Sequence, residues 1–519
     1  MSSENDAKRA YRDGDRLVMG MSIDDLMTLD PAEGYERTVS ELLGNVYERL
    51  VRLDRDDLSR IKPEAAESWT ISPDGLRFSF RLRPNLKFSS GNPVTADDVA
   101  WSFKRAVTCA RGPAEILNEL GLTPENVSER AVADDEQTFR LTLNAAFAPS
   151  FVLNCLTSNA ASIVDRKTVE QVCGADADAP TFGNDWLKRN TAGSGPFTVS
   201  DWCPGQAVAL TRNEFSRQRT SLAVAEYRHI PDGATQLDLL LEGKIDVARS
   251  LDFQQLEIAR QSGVCRVSAA PKGAILFISL NQRHPLLSKP QVIRAFKHLV
   301  DYETMQQQWL EGSGRVHQGF LPLGMLGSED KTRFAYDPQE ARRLLVEAGL
   351  GSGFQISMDV HQFPTVMGVA SIFQKSLALV GVELTLLPDT GKSVLGKFRG
   401  RKHDLYCGRW GTDYWDPNSN AKAFLKNTDN GSEKEAGILA WRNGWSAPEL
   451  SRMADDALTI SDPNLRAERY RLLQDEVVST APYIFIYQQV EYVATRDWFT
   501  TLSVGPTFGS NYLFDTVDA

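Results

Sequence analysis

Phe354-Gln-Ile-Ser-Met-Asp-Val360 is followed, across a run that reads as helix to Val380, by Val382-Glu-Leu-Thr-Leu386. Phe354, Ile356, Met358 and Val360 alternate with polar residues, the period of a half-buried strand, and Val382, Leu384 and Leu386 repeat it. Strand, helix and strand in that order predict a crossover unit, and so an α/β lobe. Neighbouring segments extend the pattern. Ile275-Leu-Phe-Ile-Ser-Leu280 reads as an apolar strand, and Lys289-Pro290 precedes a helix with Val292, Phe296, Leu299 and Val300 on one face. Asp337-Pro338 is a helix start with cap and first-turn proline, ended at Gly349. Two helices are predicted across Ala447 to Ser479, before a buried strand at Tyr483-Ile-Phe-Ile-Tyr487.

The first half of the chain is patterned differently. Arg16 to Met21 reads as a strand, then Leu29-Asp-Pro31 opens a polar loop through Tyr35. Val39, Leu42, Leu43, Val46 and Leu50 have helical spacing, which predicts a helix from Val39 to Val51. Ser72-Pro-Asp-Gly75 is a turn, and Phe78, Phe80 and Leu82 alternate after it. Thr95-Ala-Asp-Asp98 starts a helix with Thr95 as cap and acids in its first turn. Phe139, Leu141 and Leu143 mark another strand, and Gly193-Ser-Gly-Pro-Phe197 turns into one more.

Asp404-Leu-Tyr-Cys-Gly-Arg-Trp-Gly-Thr-Asp-Tyr-Trp-Asp-Pro417 is the stretch with chemistry in it. Aromatic residues and carboxylates crowd together there, broken by glycines expected to leave backbone amides open. It reads as a short strand running into a loop. Aromatic walls with one or two fixed charges suit a concave small-molecule site. The alternative is an irregular loop whose aromatics fill core and whose aspartates cap turns.

Length and composition set limits. A chain of 519 residues is too long for one core and should hold two or three domains. A formal charge of −11 argues against nucleic acid or an anionic membrane as the main partner. No run approaches the roughly 20 apolar residues of a membrane span. Met1 to Arg16 has neither an apolar signal core nor an early lipidation cysteine, so an exported protein is expected to have lost its signal from this sequence. The six cysteines form no C-x-x-C pair and allow either disulfides or buried thiols.

Enzyme readings fare poorly. Asp413 and Asp416 resemble a glycosidase pair, but three residues apart on one loop they cannot flank a sugar from opposite faces. Asp389-Thr-Gly-Lys-Ser393 imitates the end of a phosphate loop, yet Leu386 stands where the first glycine is required. There is no G-x-S-x-G elbow and no H-E-x-x-H, and the six histidines form no spaced metal pair. No catalytic residue, metal or cofactor is expected.

Taken in order, the motifs resemble the extracytoplasmic solute-binding proteins of ABC importers, in the branch of the dipeptide- and oligopeptide-binding proteins (family 5). The resemblance is carried by Asn45-Val-Tyr-Glu-Arg-Leu-Val51, Ile61-Lys-Pro63, Ala66-Glu-Ser-Trp69, Ser72 to Gly75, Lys87-Phe88 and Thr95 to Val99. It continues through Gly193 to Phe197, Asn281 with Val292-Ile-Arg-Ala295, Tyr336-Asp-Pro338, and Trp410 to Pro417. It implies an α/β, two-lobed periplasmic-binding-protein fold (cluster C type) with an extra subdomain in lobe one. Residues 1–45, 191–269 and 487–519 would form lobe one, 46–190 its inserted subdomain, and 270–486 lobe two. The lobes would be joined by two hinge strands and close on a ligand.

The same resemblance implies a periplasmic monomer that binds a peptide or other small-molecule ligand, delivers it to an inner-membrane ABC permease, and has no nucleic-acid partner. Asp413, in Trp410-Gly-Thr-Asp413, matches the aspartate that pairs with a ligand's α-ammonium in peptide-binding relatives. Trp410 and Tyr414 would form walls, and Gly411 would let backbone approach the ligand. Tyr35 and His361 are further candidate contacts, and Asp416-Pro417 reads as structural. One departure stands out: Val360-His-Gln-Phe-Pro364 lacks the arginine that dipeptide-binding relatives place there for the ligand carboxylate. A longer peptide or an amine-bearing conjugate is therefore expected, with an oligosaccharide or opine as the alternative cargo.

Overall fold

Local signals set the element ends. At Thr95 the cap is reciprocal: its hydroxyl accepts from the Asp98 N–H, and the Asp98 carboxylate accepts from the Thr95 N–H at 2.9 Å. The helix Ala96–Cys109 follows. Asp337 likewise caps Pro338–Glu347, accepting from the Glu340 N–H at 2.9 Å, and Gly349 stops it in the left-handed region, with φ at 75°. The computed structural model describes residues 15–177, 180–431, 438–498 and 502–514.

The chain divides into two units, Met1–Ala270 with Tyr492–Ala519, and Pro271–Glu491. It passes from one to the other within the strands Cys265–Leu280 and Tyr483–Arg496.

In the first unit, Arg16–Met21 pairs in parallel with Val224–His229 on one side and Val247–Ala248 on the other. Ala207–Arg212 and Phe197–Cys203 extend that sheet antiparallel. Leu17, Met19, Leu42, Leu43, Leu210 and Tyr227 fill its core. A separate antiparallel sheet of Ala66–Ile71, Arg77–Leu82, Thr138–Thr142 and Ala131–Asp135 lies within residues 46–190. The loop after the first strand is pinned by Asp30, which accepts from Arg105 Nη1 at 2.7 Å with both side chains buried.

The helix predicted from Val39 to Val51 is shorter than its spacing suggests. It runs Arg37–Val46 and ends where Tyr47 turns extended. Beyond that point the Val46 carbonyl accepts from the Gly195 N–H at 2.9 Å, and Val51–Leu53 pairs with Ile61–Pro63. Tertiary partners took over backbone groups that the helix would have used.

In the second unit, Phe354–His361 and Val382–Asp389 are parallel, with Ile356 opposite Leu384. The helix Pro364–Ala378 connects them, as the crossover pattern requires. Leu405–Gly411 continues the sheet, parallel to Met358–Val360 and antiparallel to Ala274–Leu280. Strand Tyr483–Arg496 lies next to Cys265–Leu280. Leu276, Ile278, Met358, Val360, Phe373 and Leu405 form the core on one face. None of the six cysteines is disulfide-bonded.

Candidate ligand-binding site

The strand Leu405–Gly411 sends alternate side chains to opposite faces. Leu405 and Cys407 enter the core shared with Met358 and Val360. On the other face Tyr406 lies flat on Phe398, ring centroids 3.9 Å apart and planes 1° from parallel. Trp410 meets Phe424 edge-on at 6.5 Å, and Phe424 meets Tyr483 and Phe485 in the same way at 5.2 and 5.3 Å. This aromatic packing is the floor under the loop.

Gly408 is not an open amide, contrary to expectation. It pairs opposite Phe277 in the ladder, and a Cβ there would fall 2.1 Å from the Tyr406 hydroxyl. Its glycine makes room for the Tyr406 side chain. Gly273 has a similar reason: an added Cβ would sit 2.9 Å from the Thr412 Cβ and 3.2 Å from the Trp415 ring.

The loop is held in place by its own polar groups. The Thr412 N–H donates to the Gly273 carbonyl at 2.9 Å, and its hydroxyl donates there at 2.7 Å. The Asp413 N–H donates to the Ser419 hydroxyl at 3.0 Å. Asp416 caps the helix Pro417–Leu425, accepting from the Asn418 N–H at 2.9 Å. Its carboxylate also receives the Arg466 fork, Nη1 to Oδ2 at 2.7 Å and Nη2 to Oδ1 at 2.8 Å. Burial opposes the Arg466 charge, but Asp416 beside it holds the guanidinium above its usual range. Asp416 is therefore structural, as the sequence indicated.

Among the candidate residues, Asp413, Trp410 and Gly411 are half-buried at the strand end. Trp410 Nε1 is enclosed and has no hydrogen-bond partner among the described residues. Tyr414 is 1 % exposed and its hydroxyl accepts from Asn418 Nδ2 at 2.9 Å, so its surface is occupied by protein. His361 is half-buried and stacks on Phe363, centroids 3.9 Å apart. Its Nδ1 accepts from the Phe363 N–H at 3.1 Å. Burial, and after it the Arg409 charge, holds the His361 imidazole below its ordinary range. Tyr35 belongs to the first unit, 43 % exposed, with its ring over Gly112.

Two residues escaped sequence reasoning. Arg409 is exposed, with its guanidinium 5.2 Å from the Phe363 ring centroid, and Phe363 is itself 49 % exposed. The only available signal was a basic residue inside an acidic, aromatic stretch. The contact joins residues 46 positions apart, because Val360 pairs beside Cys407 in the parallel ladder. Among the described residues no cluster of three or more His, Cys, Asp or Glu is arranged to hold a metal ion, and no helix is long and apolar enough to cross a membrane.

A mixed sheet with a parallel crossover in one unit, a mixed sheet in the other and two strands that pass from one unit to the other define a two-lobed α/β periplasmic-binding-protein fold. The chain belongs to the bacterial extracellular solute-binding proteins, family 5, which it matches over residues 60–432. It is 27% identical over 484 residues to the probable D,D-dipeptide-binding periplasmic protein DdpA of Escherichia coli (strain K12), covering 92% of this chain and 89% of that one. It is 24% identical over 483 residues to the peptide transport periplasmic protein SapA of Salmonella typhimurium, covering 88% and 84%. Among solved structures, the periplasmic binding protein DppA from Helicobacter pylori in complex with peptide STSA superposes with a TM-score of 0.80, at 23% identity, covering 98% and 100%. These relatives are solute-binding transport proteins, and the family is extracytoplasmic.

Proposed function

We propose that this protein is the periplasmic solute-binding component of an ABC importer, and that it carries a peptide or a related amine-bearing solute to a membrane permease. The observation that carries this reading is Asp413: a half-buried carboxylate residue whose backbone is held by Ser419, on a loop anchored by the buried Asp416–Arg466 pair. Enclosing an ammonium ion without a counter-charge is heavily penalised, and a carboxylate placed in advance removes that penalty. Trp410 supplies a neighbouring aromatic face suited to a cation, and Gly411 gives backbone access beside it. His361 would add contacts to the remainder of the solute. The names of the curated relatives favour peptide over oligosaccharide cargo.

Calorimetric titration with tripeptides carrying a free or an acetylated N-terminus tests the reading. Binding of the free amine, and its loss on acetylation, is the expected result. Equal binding of both forms, or of neither, rejects Asp413 as an ammonium partner.

A further inference from the structure

The helix Gly391–Arg399 closes with two hydrogen bonds: the Arg401 N–H donates to the Phe398 carbonyl and the Lys402 N–H to the Lys397 carbonyl, both at 3.0 Å. That closure puts the residue after the cap in the left-handed region, where glycine is the usual occupant. Here the residue is Arg401, with φ at 58°. A side chain in that conformation costs stability, and residues held so concentrate at binding sites. The Arg401 backbone is fastened further by Asn281, whose Nδ2 donates to its carbonyl at 3.4 Å.

The side chain is fixed as well. Its guanidinium lies on the Trp441 ring, 4.4 Å from the centroid, and Nη1 donates to the Asn430 carbonyl at 2.8 Å. Stacking on an aromatic face directs the other N–H groups sideways. With Nη1 used, what is left is the edge formed by Nε and Nη2, which can receive two oxygens of one oxyanion. Nε has no hydrogen-bond partner among the described residues.

Arg283, exposed, converges on the same place. A Cβ on Gly444 would meet Arg283 Cγ at 2.8 Å and Cδ at 3.3 Å, and Arg401 Nη2 at 3.3 Å. Both side chains therefore cross the face of one glycine. Burial, and after it the Arg283 charge, holds the Arg401 guanidinium below its usual range. Neighbouring guanidinium groups repel, and an anion between them reverses the sign of the interaction. The carboxylates nearest in sequence are turned elsewhere. Asp404 accepts from the Ser357 N–H at 3.0 Å and its hydroxyl at 2.7 Å, and Asp429 accepts from the Gly431 N–H at 2.8 Å. Arg399 and Lys402, both exposed, add positive charge beside the pair, in a chain whose formal charge is −11.

We propose that Arg401 and Arg283 form a second binding site, for the phosphate or carboxylate group of a small anion, at the end of the second unit remote from Asp413. Arg401 precedes the strand Leu405–Gly411 and Asp413 follows it, so about 20 Å of extended chain separates them. Arg283 lies just beyond Leu280, which pairs with Leu405 at that same end. This inference does not depend on the identity of the cargo.

The test is calorimetric titration of the full chain with inorganic phosphate and, separately, with citrate, at constant ionic strength set by sodium chloride. The proteins are the wild type, Arg283→Gln, Arg401→Gly and Arg343→Gln. Saturable binding of phosphate, of citrate or of both by the wild type is expected, and which of them binds assigns the anion class. Arg283→Gln and Arg401→Gly should each weaken it by on the order of 10-fold or more, the worth of a charge-assisted hydrogen bond. Arg283 is exposed, so its replacement leaves the fold intact, and glycine at position 401 takes the left-handed conformation without strain. Arg343, paired with Glu340 and Glu347 on another helix, is the control, and Arg343→Gln should keep wild-type affinity. Absence of saturable binding of either anion by the wild type overturns the proposal. An equal loss in all three variants also overturns it, because that pattern reports the overall field of the protein and not a site.

Discussion

Arg466 and Asp416 face each other fork to fork, at 2.7 and 2.8 Å, with both side chains 2 % exposed or less. The pair ties the helix Pro463–Thr480 to the first residue of the cap over Pro417–Leu425, and so sets where the loop after Gly411 runs. Removing one partner leaves the other charge buried and alone. Arg466→Ala or Asp416→Ala should therefore lower stability by about 3–5 kcal/mol. Urea unfolding followed by circular dichroism measures it. A cost within that of an ordinary surface ion pair would show that the fork does not hold the loop.

Asp413→Ala should behave differently. The hydrogen bond from this residue to Ser419 uses its backbone N–H, which alanine keeps. That tie of the loop is kept, while affinity for a free-amine peptide should fall by at least about a hundredfold. Calorimetry on the variant, with its melting temperature as control, separates the two effects.

Acid sensitivity should come partly from two buried imidazoles. His317 Nε2 lies 2.8 Å from the Leu321 carbonyl and His403 Nε2 3.2 Å from Asn443 Oδ1. In both rings Nδ1 is buried with no hydrogen-bond partner among the described residues. Burial pulls each pKa down to about 4, against the smaller opposing effect of those hydrogen bonds. The unfolded chain takes up these protons below about pH 6.5, the folded chain only near 4. Folding stability should thus fall as pH drops from about 6.5 to about 4, by up to about 3 kcal/mol for each ring, and gain nothing further above 6.5. The slope of unfolding free energy with pH over that window should flatten in His317→Gln and His403→Gln. An unchanged slope in both variants contradicts the assignment.

Gly408→Ala should destabilise by about 1–3 kcal/mol, the cost of overpacking. The new methyl would displace the Tyr406 ring from its stack on Phe398. A second change, Tyr406→Ala, should remove most of the added penalty, since the clash partner is then gone. A double-mutant cycle with no coupling would show that some other neighbour excludes the methyl.

Thiol accessibility gives a direct check on packing. Cys203 is exposed, whereas Cys155, Cys265 and Cys407 are buried, and burial pushes the Cys407 thiol up to about 12. A thiol reagent applied to the native chain should modify Cys203 first and leave Cys407 unreacted until unfolding. Rapid labelling of Cys407 in the folded protein would contradict the core position of the strand Leu405–Gly411.

Much of the architecture was legible in local pattern. Alternation at Phe354 to Val360 and Val382 to Leu386, the Thr95 capping box and the Asp337-Pro338 helix start are each decided by residues a few positions apart. Short-range signals of this kind survive in a linear reading. The order of motifs, taken together, was also enough to point to the family. What the sequence could not decide were outcomes of competition between distant groups. The helix after Arg37 stops at Val46 because the Val46 carbonyl is taken by Gly195, almost 150 residues on, and hydrophobic spacing alone carries on to Val51. Tyr414 looked as available as Asp413 in the linear stretch, but Asn418 and the packed interior claim it. Arg409 looked like any strand arginine until the parallel ladder set Phe363 beneath it. Local spacing determines which elements form. Which side chains remain for a solute depends on how those elements pack, because burial and charge pairing are settled only once remote segments meet.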